Sequence, residues 1–368
     1  MNLLGKNHMK KKIKLFDPHI TNNERKTLSS VLKSGYWASG DGSHLVALFE
    51  KNFQDFIGAK NCVAVNSGTA ALHLALSLEN ISKKEVILPS LSFVSTAHAV
   101  LYNNAKIKFA DIDPNTLNID PDSVKKNISQ NTKIILPVHF GGLSADLKKL
   151  QLLAHQSNSS LIDDAAHAAG TKFNTKNIGS IGDISCFSFH PVKNLAMPTG
   201  GLIALNKKNH KQLKKLLLAR RWCGITDRKG IDYDVKELGW NYYMNEFSAA
   251  VGIEQLSKLN KSNKKRFLVA EKYHKKINIE RKMPLTSESS YHFYWILVKN
   301  RDRFRKKMSD VGIETGIHYK PIHKMTMYKG PNLPITEKIS MEIVTLPTHP
   351  NLTQNDVDFV IDSVNNFL

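Results

Sequence analysis

The sequence predicts an α/β protein, in which a large domain with a mostly parallel central sheet covered by helices precedes a smaller C-terminal α+β domain. Seven short apolar runs of β type lie between about residues 45 and 205, and helical patterns separate several of them. Continuous apolar strands that alternate with amphipathic helices are typical of a parallel sheet buried on both faces. The pattern changes after about residue 280, which predicts the second domain.

The seven predicted strands of the sheet are short apolar segments. In chain order they are CVAV (62–65), EVIL (85–88), IKFADI (107–112), KIILPV (133–138), SLIDDA (160–165), ISCFSF (184–189) and GLIAL (201–205). Helix-like segments such as TAALHLALSLEN (69–80) and SADLKKLQLLAHQ (144–156) lie between some of them. Ligands of such sheets bind beyond the carboxyl ends of the strands, so these ends are the first candidates for a site.

The rest of the chain predicts helices joined by a polar loop over residues 208–280, with a long helix from about Glu246 into the basic segment that follows. The predicted elements of the small domain are the strand YHFYWILV (291–298), the helix DRFRKKMSDVG (302–312), the short strand ETGIHY (314–319) and the helix TQNDVDFVIDSVNNFL (353–368), capped by Thr353. We therefore expect a mobile basic N-terminus over residues 1–12, a large domain over 13–260 and a small domain over 261–368.

The charge and hydropathy of the chain exclude several classes of protein. The 368 residues carry a formal net charge of +20, which raises the question of nucleic acid binding. No zinc-finger spacing, RNA-binding aromatic signature or helix-turn-helix is present, and the lysine-rich runs at 207–221 and 258–276 have the helical spacing of solvated outer faces. No apolar run approaches the ~18 residues of a membrane span, and no apolar signal-peptide stretch follows the basic start. We expect neither nucleic acid nor membrane as a partner.

The three cysteines of the chain are Cys62, Cys186 and Cys223. They are too few and too scattered for a disulfide framework or a metal cage, so we expect no bound metal. Because their odd number fits a reducing compartment, we expect a cytoplasmic location.

A possible phosphate site follows the first predicted strand, where Ser67, Gly68 and Thr69 form the turn into a helix. Backbone N–H groups, hydroxyls and the helix dipole at such a turn favour a phosphate. The alternative is an ordinary helix N-cap, because Ser and Thr are common at that position.

Two acids, Asp163 and Asp164, end the predicted strand SLIDDA, and His167 follows them. Alternation along a strand directs one acid to each side of the sheet. A carboxylate at a buried strand end needs a cationic partner to remain charged. The alternative is that an aspartate starts a helix and that the histidine is unrelated to it.

Lys193 lies in the segment FSFHPVKNLAMPTGG (187–201), which contains no acid. Loss of hydration in such a segment favours the neutral amine, which can attack a carbonyl and form a Schiff base. The alternative is a lysine whose amine reaches the surface. A phosphate cradle, a strand-end carboxylate and a loop lysine, in this order, together suit pyridoxal 5'-phosphate, whose phosphate, pyridine nitrogen and aldehyde they would hold.

Nine motifs occur in a fixed order along the chain. They are SGYWASGDG (34–42), NSGTAALHLAL (66–76), LPSLSFVSTAHAVL (88–101), FADIDPNTLNID (109–120), PVHFGG (137–142), DDAAHAAGT (163–171), FSFHPVK (187–193), GWNYYMNEFSAAVGIEQL (239–256) and GIETGIHYKPIH (312–323). In these motifs, and from about Ile13 to Leu368, the sequence resembles the DegT/DnrJ-type family of nucleotide-sugar aminotransferases, which have the fold type I of pyridoxal-phosphate enzymes. Each motif alone is modestly specific, whereas the ordered set is very specific.

The resemblance implies three catalytic roles. Lys193 would hold the aldehyde of the cofactor and shuttle a proton between the substrate carbon and the cofactor carbon. Asp164 would keep the pyridine nitrogen protonated, and His167 would lie near the phenolic oxygen of the ring.

The resemblance also implies contacts to the rest of the cofactor. The phosphate would be bound by Ser188 together with Ser67, Gly68 and Thr69. Phe93 would stack on the ring.

Partner and substrate contacts follow from the same resemblance. Asn241 would reach the phosphate of the cofactor in the neighbouring subunit, which implies a homodimer with shared active sites. The candidates for substrate contacts are Tyr36, Trp37, His318 and His323, and packing or surface positions are the alternative for all four.

The implied reaction moves an amino group from an amino acid, by resemblance L-glutamate, to a keto sugar of a nucleotide-diphosphate sugar, for amino-sugar or polysaccharide biosynthesis. Relatives that dehydrate sugars carry histidine at the position of Lys193, so the lysine favours transamination.

The chain departs from the family pattern at Pro198-Thr199, where an acidic-glycine pair is usual, and at Tyr243, where a basic residue is common. The alternatives are a sugar dehydratase, an amino-acid-directed transaminase and a catalytically retired binding or regulatory homologue.

Overall fold

The computed structural model of the protein describes residues 12–38 and 40–368, so the N-terminal segment predicted to be mobile lies, apart from Lys12, outside the described residues. The described residues form thirteen β-strands. In chain order they are β1 (Asn61–Val65), β2 (Glu85–Pro89), β3 (Lys106–Ala110), β4 (Thr132–Ile135), β5 (Ser160–Asp164), β6 (Lys172–Phe173), β7 (Lys176–Asn177), β8 (Ile184–Ser188), β9 (Gly201–Leu205), β10 (Ile225–Lys229), β11 (Asp232–Val235), β12 (Tyr294–Leu297) and β13 (Ile343–Leu346).

Twelve α-helices accompany these strands in the same described ranges. They are α1 (Asn22–Ser34), α2 (Leu45–Ile57), α3 (Gly68–Ser77), α4 (Ser95–Tyr102), α5 (Pro121–Asn127), α6 (Leu147–Gln156), α7 (His210–Arg221), α8 (Glu246–Ser257), α9 (Leu259–Lys276), α10 (Arg301–Asp310), α11 (Pro334–Glu342) and α12 (Gln354–Phe367). None of the helices in this part of the chain is long and apolar enough to span a bilayer.

The central sheet contains all seven strands that the apolar runs predict, in the order β1-β9-β8-β5-β4-β2-β3. The strands β8, β5, β4, β2 and β3 pair in parallel. Only β9 of this sheet runs antiparallel, and it pairs with β1 on one side and β8 on the other. The prediction of an α/β fold with a mostly parallel sheet is confirmed.

The sheet is buried on both faces because its strands are apolar at successive positions. In β1, Ala64 packs in one hydrophobic cluster with Phe49 and Phe53 of α2. The next residue, Val65, faces the opposite cluster, which contains Leu72 of α3. Successive side chains of a strand point to opposite faces, so an uninterrupted apolar run requires helices on both sides.

A third hydrophobic cluster forms the core of the predicted small domain. It contains Trp295 of β12, Phe304 of α10 and Val360 of α12. The helix α9 contributes Leu259 to a cluster beneath the sheet and Val269 to this third cluster. The helix therefore bridges both cores, and the domain boundary near residue 260 stays a prediction.

The structure differs from the sequence prediction in three segments after the sheet. The predicted polar loop contains the exposed hairpin β10–β11, whose turn includes Gly230 at φ 61°. The long helix predicted from Glu246 is interrupted at Lys258, where φ and ψ are −108° and 2°. The segment 314–319 is not a strand. Within it only Gly316 forms a β-bridge, to Thr345, and the bridge before it joins Ile313 to Ile13.

The terminal helix begins where the sequence predicts. The side chain of Thr353 accepts a hydrogen bond from the backbone N–H of Asp356, and the Asp356 carboxylate accepts one from the N–H of Thr353. This reciprocal capping satisfies two N–H groups that a helix start leaves without partners.

The carboxyl ends of the parallel strands meet at one edge of the sheet. Gly201, the first residue of β9, pairs with Val65 at the end of β1 and with Ser188 at the end of β8. A Cβ atom on Gly201 would lie 2.2 Å from the carbonyl oxygen of Ser67. The glycine therefore allows the turn after β1 to lie directly against the start of β9.

Candidate active site

A cavity of about 410 Å³ opens at this edge of the sheet. Nine of the residues that the sequence nominates line it: Ser67, Gly68, Thr69, Phe93, Asp164, His167, Ser188, Lys193 and His318. Strand ends that are far apart in the sequence meet here because parallel strands end at the same edge.

The turn between β1 and α3 forms one wall of the cavity. Ser67 caps α3 by accepting a hydrogen bond from the N–H of Ala70 at 3.1 Å. A Cβ atom on Gly68 would lie 2.7 Å from Cβ of Ser188 and 3.0 Å from its hydroxyl oxygen. The glycine thus allows the start of α3 to lie directly against Ser188, and both line the cavity. A helix N-terminus beside a serine hydroxyl suits a phosphate group.

Asp164 provides a buried carboxylate at the end of β5, and it is only 4% exposed. Its Oδ2 accepts a hydrogen bond from the hydroxyl of Thr96 at 2.8 Å, and its Oδ1 accepts one from the N–H of Ala166 at 3.1 Å. Burial raises the pKa of the Asp164 carboxyl, and these hydrogen bonds and the charge of Lys193 oppose that rise. The preceding Asp163 points away and accepts a hydrogen bond from Ser185 at 3.0 Å, as strand alternation predicts.

Lys193 lies in the loop between β8 and β9 and lines the same cavity as Asp164. Burial lowers the pKa of its amine to about 8, although the charge of Asp164 acts in the opposite direction. The next residue, Asn194, anchors the loop by donating hydrogen bonds to the Ser290 carbonyl at 2.8 Å and to Asn263 at 3.0 Å. A positioned amine with a lowered pKa has the neutral form that attacks a carbonyl.

His167 is 5% exposed, and both of its ring nitrogens have partners. Nδ1 accepts a hydrogen bond from the N–H of Gly141 at 3.3 Å, and Nε2 lies 3.1 Å from the hydroxyl of Tyr319. The ring also stacks on His292, with centroids 4.5 Å apart. Burial lowers the pKa of His167 well below its usual value, with a further contribution from the charge of Lys193.

Sequence reasoning did not nominate Thr96 or Tyr319, although both lie in motifs that it singled out. Thr96 is in LPSLSFVSTAHAVL and holds Asp164, while Tyr319 is in GIETGIHYKPIH and pairs with His167. Their position in these motifs was the available signal. Neither residue type identifies its partner without the fold, so the contacts came only from the structure.

Four nominated residues lie outside the cavity. His323 is 4% exposed and is hydrogen-bonded to Ser90 at 2.6 Å on one side and to Glu337 at 3.2 Å on the other. Tyr36 and Trp37 are 36% and 53% exposed. The exposed Asn241 pairs through its backbone with Trp222. The substrate and partner roles of these four residues stay predictions.

The residues of the cavity fit pyridoxal 5'-phosphate. The start of α3 and the hydroxyl of Ser188 suit its phosphate, the Asp164 carboxylate suits a protonated pyridine nitrogen, and the Lys193 amine suits an aldehyde. In the described ranges no cluster of three or more His, Cys, Asp or Glu side chains offers a metal site.

We expect the amine of Lys193 in the cofactor-free protein to become reactive at lower pH than that of an ordinary lysine. Because its pKa is about 8, the neutral fraction rises through pH 8 and then levels off. Labelling with acetic anhydride across a pH series, read by peptide mass spectrometry, measures that midpoint. Lys236 is the control, because its ion pair with Asp227 raises its pKa. A midpoint for Lys193 near the ordinary value of 10.5 would contradict the prediction.

Comparison with known proteins identifies a family and individual relatives. The profile of the DegT/DnrJ/EryC1/StrS aminotransferase family matches residues 18–365. The chain is 31% identical to GDP-perosamine synthase from Escherichia coli O157:H7, with 97% of this chain and 99% of the relative covered. It is 33% identical to UDP-4-amino-4,6-dideoxy-N-acetyl-beta-L-altrosamine transaminase from Campylobacter jejuni, with 88% and 89% covered.

A solved structure with the same fold is that of Helicobacter pylori PseC, an aminotransferase involved in the biosynthesis of pseudoaminic acid. The TM-score is 0.90 at 27% sequence identity, and the match covers 97% of this chain and 99% of that protein. The likeness extends over both the sheet and the C-terminal part of the chain.

Proposed function

Because the chain belongs to the DegT/DnrJ/EryC1/StrS aminotransferase family, we propose that it moves an amino group from L-glutamate to the keto group of a nucleotide-linked sugar. It is a pyridoxal 5'-phosphate-dependent sugar aminotransferase. The names of two relatives, which specify a GDP-sugar and a UDP-sugar, support a nucleoside diphosphate on the substrate. The glutamate donor is the expectation from the family resemblance.

The observation that carries the proposal is the presence of Lys193 and Asp164 in one cavity, with an amine pKa of about 8 and a buried carboxylate. Bound there, pyridoxal 5'-phosphate supplies an aldehyde that links to amines and a ring that takes up electrons. The Lys193 amine, neutral in part near pH 8, would hold that aldehyde and would move the proton at the reacting carbon.

Asp164 would hold the pyridine nitrogen in its protonated form. Thr96 and the N–H of Ala166 each occupy one carboxylate oxygen and so fix the direction of the side chain. A cationic pyridine nitrogen, if held beside this carboxylate, would lower the carboxyl pKa and oppose the effect of burial. The Asp164 carboxylate and the protonated pyridine nitrogen would thus stabilise each other's charge inside the protein.

The phosphate group would be held by the turn after β1 and by Ser188, which line the cavity. The start of α3 at Gly68 and Thr69 presents backbone N–H groups, and Ser188 presents a hydroxyl. Ordered donors that are already in place cost little reorganisation when an anion binds. These donors would hold the phosphate, while Asp164 and Lys193 would hold the ring nitrogen and the aldehyde.

Incubation of the purified protein with glutamate and a panel of nucleotide-linked keto sugars tests the function. We expect an amino sugar by mass spectrometry and consumption of glutamate in equal amount. A dehydrated sugar without glutamate consumption would indicate the dehydratase, and amination of keto acids alone would indicate an amino-acid-directed transaminase. Cofactor binding without any turnover would indicate a retired homologue.

We further propose that the active enzyme is a homodimer in which Asn241 completes the site of the neighbouring subunit. Asn241 is exposed and lies outside the cavity of its own chain. The adjoining surface carries a second pocket lined by Tyr36, Trp222, Arg228 and Tyr243. An exposed surface that combines aromatic rings with arginine has the composition of a protein interface.

Mixed dimers test this assignment. Asn241→Asp is expected to lower activity by about tenfold or more, because it sets a negative charge against the phosphate. A heterodimer of an Asn241→Asp subunit and a Lys193→Ala subunit, purified through two different tags, is expected to recover about half of wild-type activity, because one of its two sites is intact. A heterodimer as inactive as either variant would place Asn241 at the site of its own subunit and refute the proposal.

A reducing cytoplasm is the compartment that we propose. Cys62 and Cys186 are buried, Cys223 is exposed, and all three are unpaired in the described chain. Cytosolic proteins keep their thiols reduced, so this state fits that compartment.

A further inference from the structure

A chain of hydrogen bonds leads from the backbone to the cavity through His167 and Tyr319. The first bond runs from the N–H of Gly141 to Nδ1 of His167 at 3.3 Å. A backbone N–H only donates, so Nδ1 of His167 is an acceptor and carries no proton.

The proton of the His167 ring is therefore on Nε2. Because burial holds the pKa of His167 well below its usual value, the ring is neutral at pH 7 and carries one proton. Nε2–H donates to the oxygen of Tyr319, 3.1 Å away. Both nitrogens of His167 are thus occupied, and neither remains for a ligand.

The hydroxyl of Tyr319 has its own proton to donate. Burial raises the pKa of Tyr319, so the phenol stays protonated at neutral pH. Its oxygen accepts from His167, and the O–H bond must therefore point elsewhere. Tyr319 lines the cavity beside Asp164 and Lys193, and within the described residues no other hydrogen-bond partner of the Tyr319 hydroxyl occurs.

We propose that Tyr319, rather than His167, donates a hydrogen bond to an oxygen of the molecule bound in this cavity, and that His167 is a positioning residue that directs this donor. The acceptor is either the ring oxygen of the cofactor or an oxygen of the sugar, and the experiment separates the two. The proposal rests on the proposed function and changes the role that the family resemblance gives to His167.

The first measurement uses the cofactor-loaded protein without any sugar. Tyr319→Phe removes the hydroxyl and keeps the ring. Tyr328→Phe is the matched control, because Tyr328 also bonds a histidine, His98, at 2.7 Å, but lies outside the cavity. A pH titration of the visible absorbance that is shifted in Tyr319→Phe and not in Tyr328→Phe identifies the cofactor oxygen as the acceptor.

The second measurement is kcat/KM for the sugar. A loss of about 10- to 100-fold in Tyr319→Phe, with an unchanged titration, identifies a sugar oxygen as the acceptor. Tyr319→Phe that matches Tyr328→Phe in both measurements overturns the proposal. A wild-type protein that aminates no sugar contradicts the proposed function instead, and the titration still reports on Tyr319.

A double-mutant comparison tests the positioning role of His167. His167→Asn keeps an acceptor near Gly141 and removes the group that contacts Tyr319. We expect a loss in kcat/KM or a titration shift like that of Tyr319→Phe, and little further change when both substitutions are combined. An equal effect of His167→Asn with and without the Tyr319 hydroxyl would show that His167 contacts the ligand itself and would refute its positioning role.

Discussion

Lys193→Ala is expected to lower kcat/KM for the keto sugar by about 10⁴-fold or more, because one amine serves as both nucleophile and proton carrier. Lys193 is the only lysine among the described residues that line the cavity. The amine is also the group that we propose to bind the cofactor covalently. The variant should therefore lose both the visible absorbance of the linked cofactor and the adduct that borohydride traps in the wild type.

A matched control exists in the small domain. Lys282 is also partly buried, its pKa is likewise lowered by burial, and it donates a hydrogen bond to the carbonyl of Ile277 at 2.7 Å. We expect Lys282→Ala to keep the absorbance and the activity. Wild-type turnover in Lys193→Ala, measured with glutamate and the sugar together, would refute the assignment of the catalytic lysine.

Asp164→Asn is expected to slow the conversion of the bound cofactor by glutamate about 10²- to 10³-fold. An amide has the shape of the carboxylate but cannot carry the charge that keeps the pyridine nitrogen protonated. The amide oxygen is expected to accept from the N–H of Ala166 and the amide NH2 to donate to the hydroxyl of Thr96, so the position of the side chain changes little. Rapid-mixing absorbance of the half-reaction with glutamate measures the rate without a sugar substrate.

The neighbouring residue Asp163 provides the control for Asp164, because it is also a buried carboxylate but lies outside the cavity. Asp163 is fully buried and bonds Ser185 on the opposite side of β5. Asp163→Asn is expected to lower the free energy of unfolding by about 1–3 kcal/mol, while the half-reaction of the folded protein stays close to the wild-type rate. Equal half-reaction rates in Asp164→Asn and wild type would contradict the role of Asp164.

The sheet was predictable because its strands are encoded locally. Each of the seven runs formed a strand, since a segment with mostly apolar side chains at successive positions is stable only when both faces are covered. The hairpin β10–β11 was missed because most of its residues are polar and the apolar residues Tyr233 and Val235 of β11 are exposed, so no apolar face marks it as a strand pair. The segment 314–319 has strand-like residues but finds only one partner residue at Thr345.

In the candidate site, too, some residues were predictable from local sequence and others were not. Asp164 ends β5 and Lys193 lies in the loop after β8, where local pattern and strand direction together indicate a common edge. His323 carries the same kind of side chain as His167, yet it is held by Ser90 and Glu337 away from the cavity. Residue type alone did not distinguish the two histidines, because their surroundings come from distant parts of the chain.

The sequence by itself determined the order of the strands along the chain, the small residues of the turn after β1, and the presence of Asp164 and Lys193. Only the tertiary structure decided that Tyr319, from the C-terminal part of the chain, meets His167 at the sheet edge, and that Asn241 lies outside the cavity. The reason is physical. Strand formation depends on the side chains of a few successive residues, whereas the direction of a hydrogen bond depends on how separate layers of the fold pack against each other.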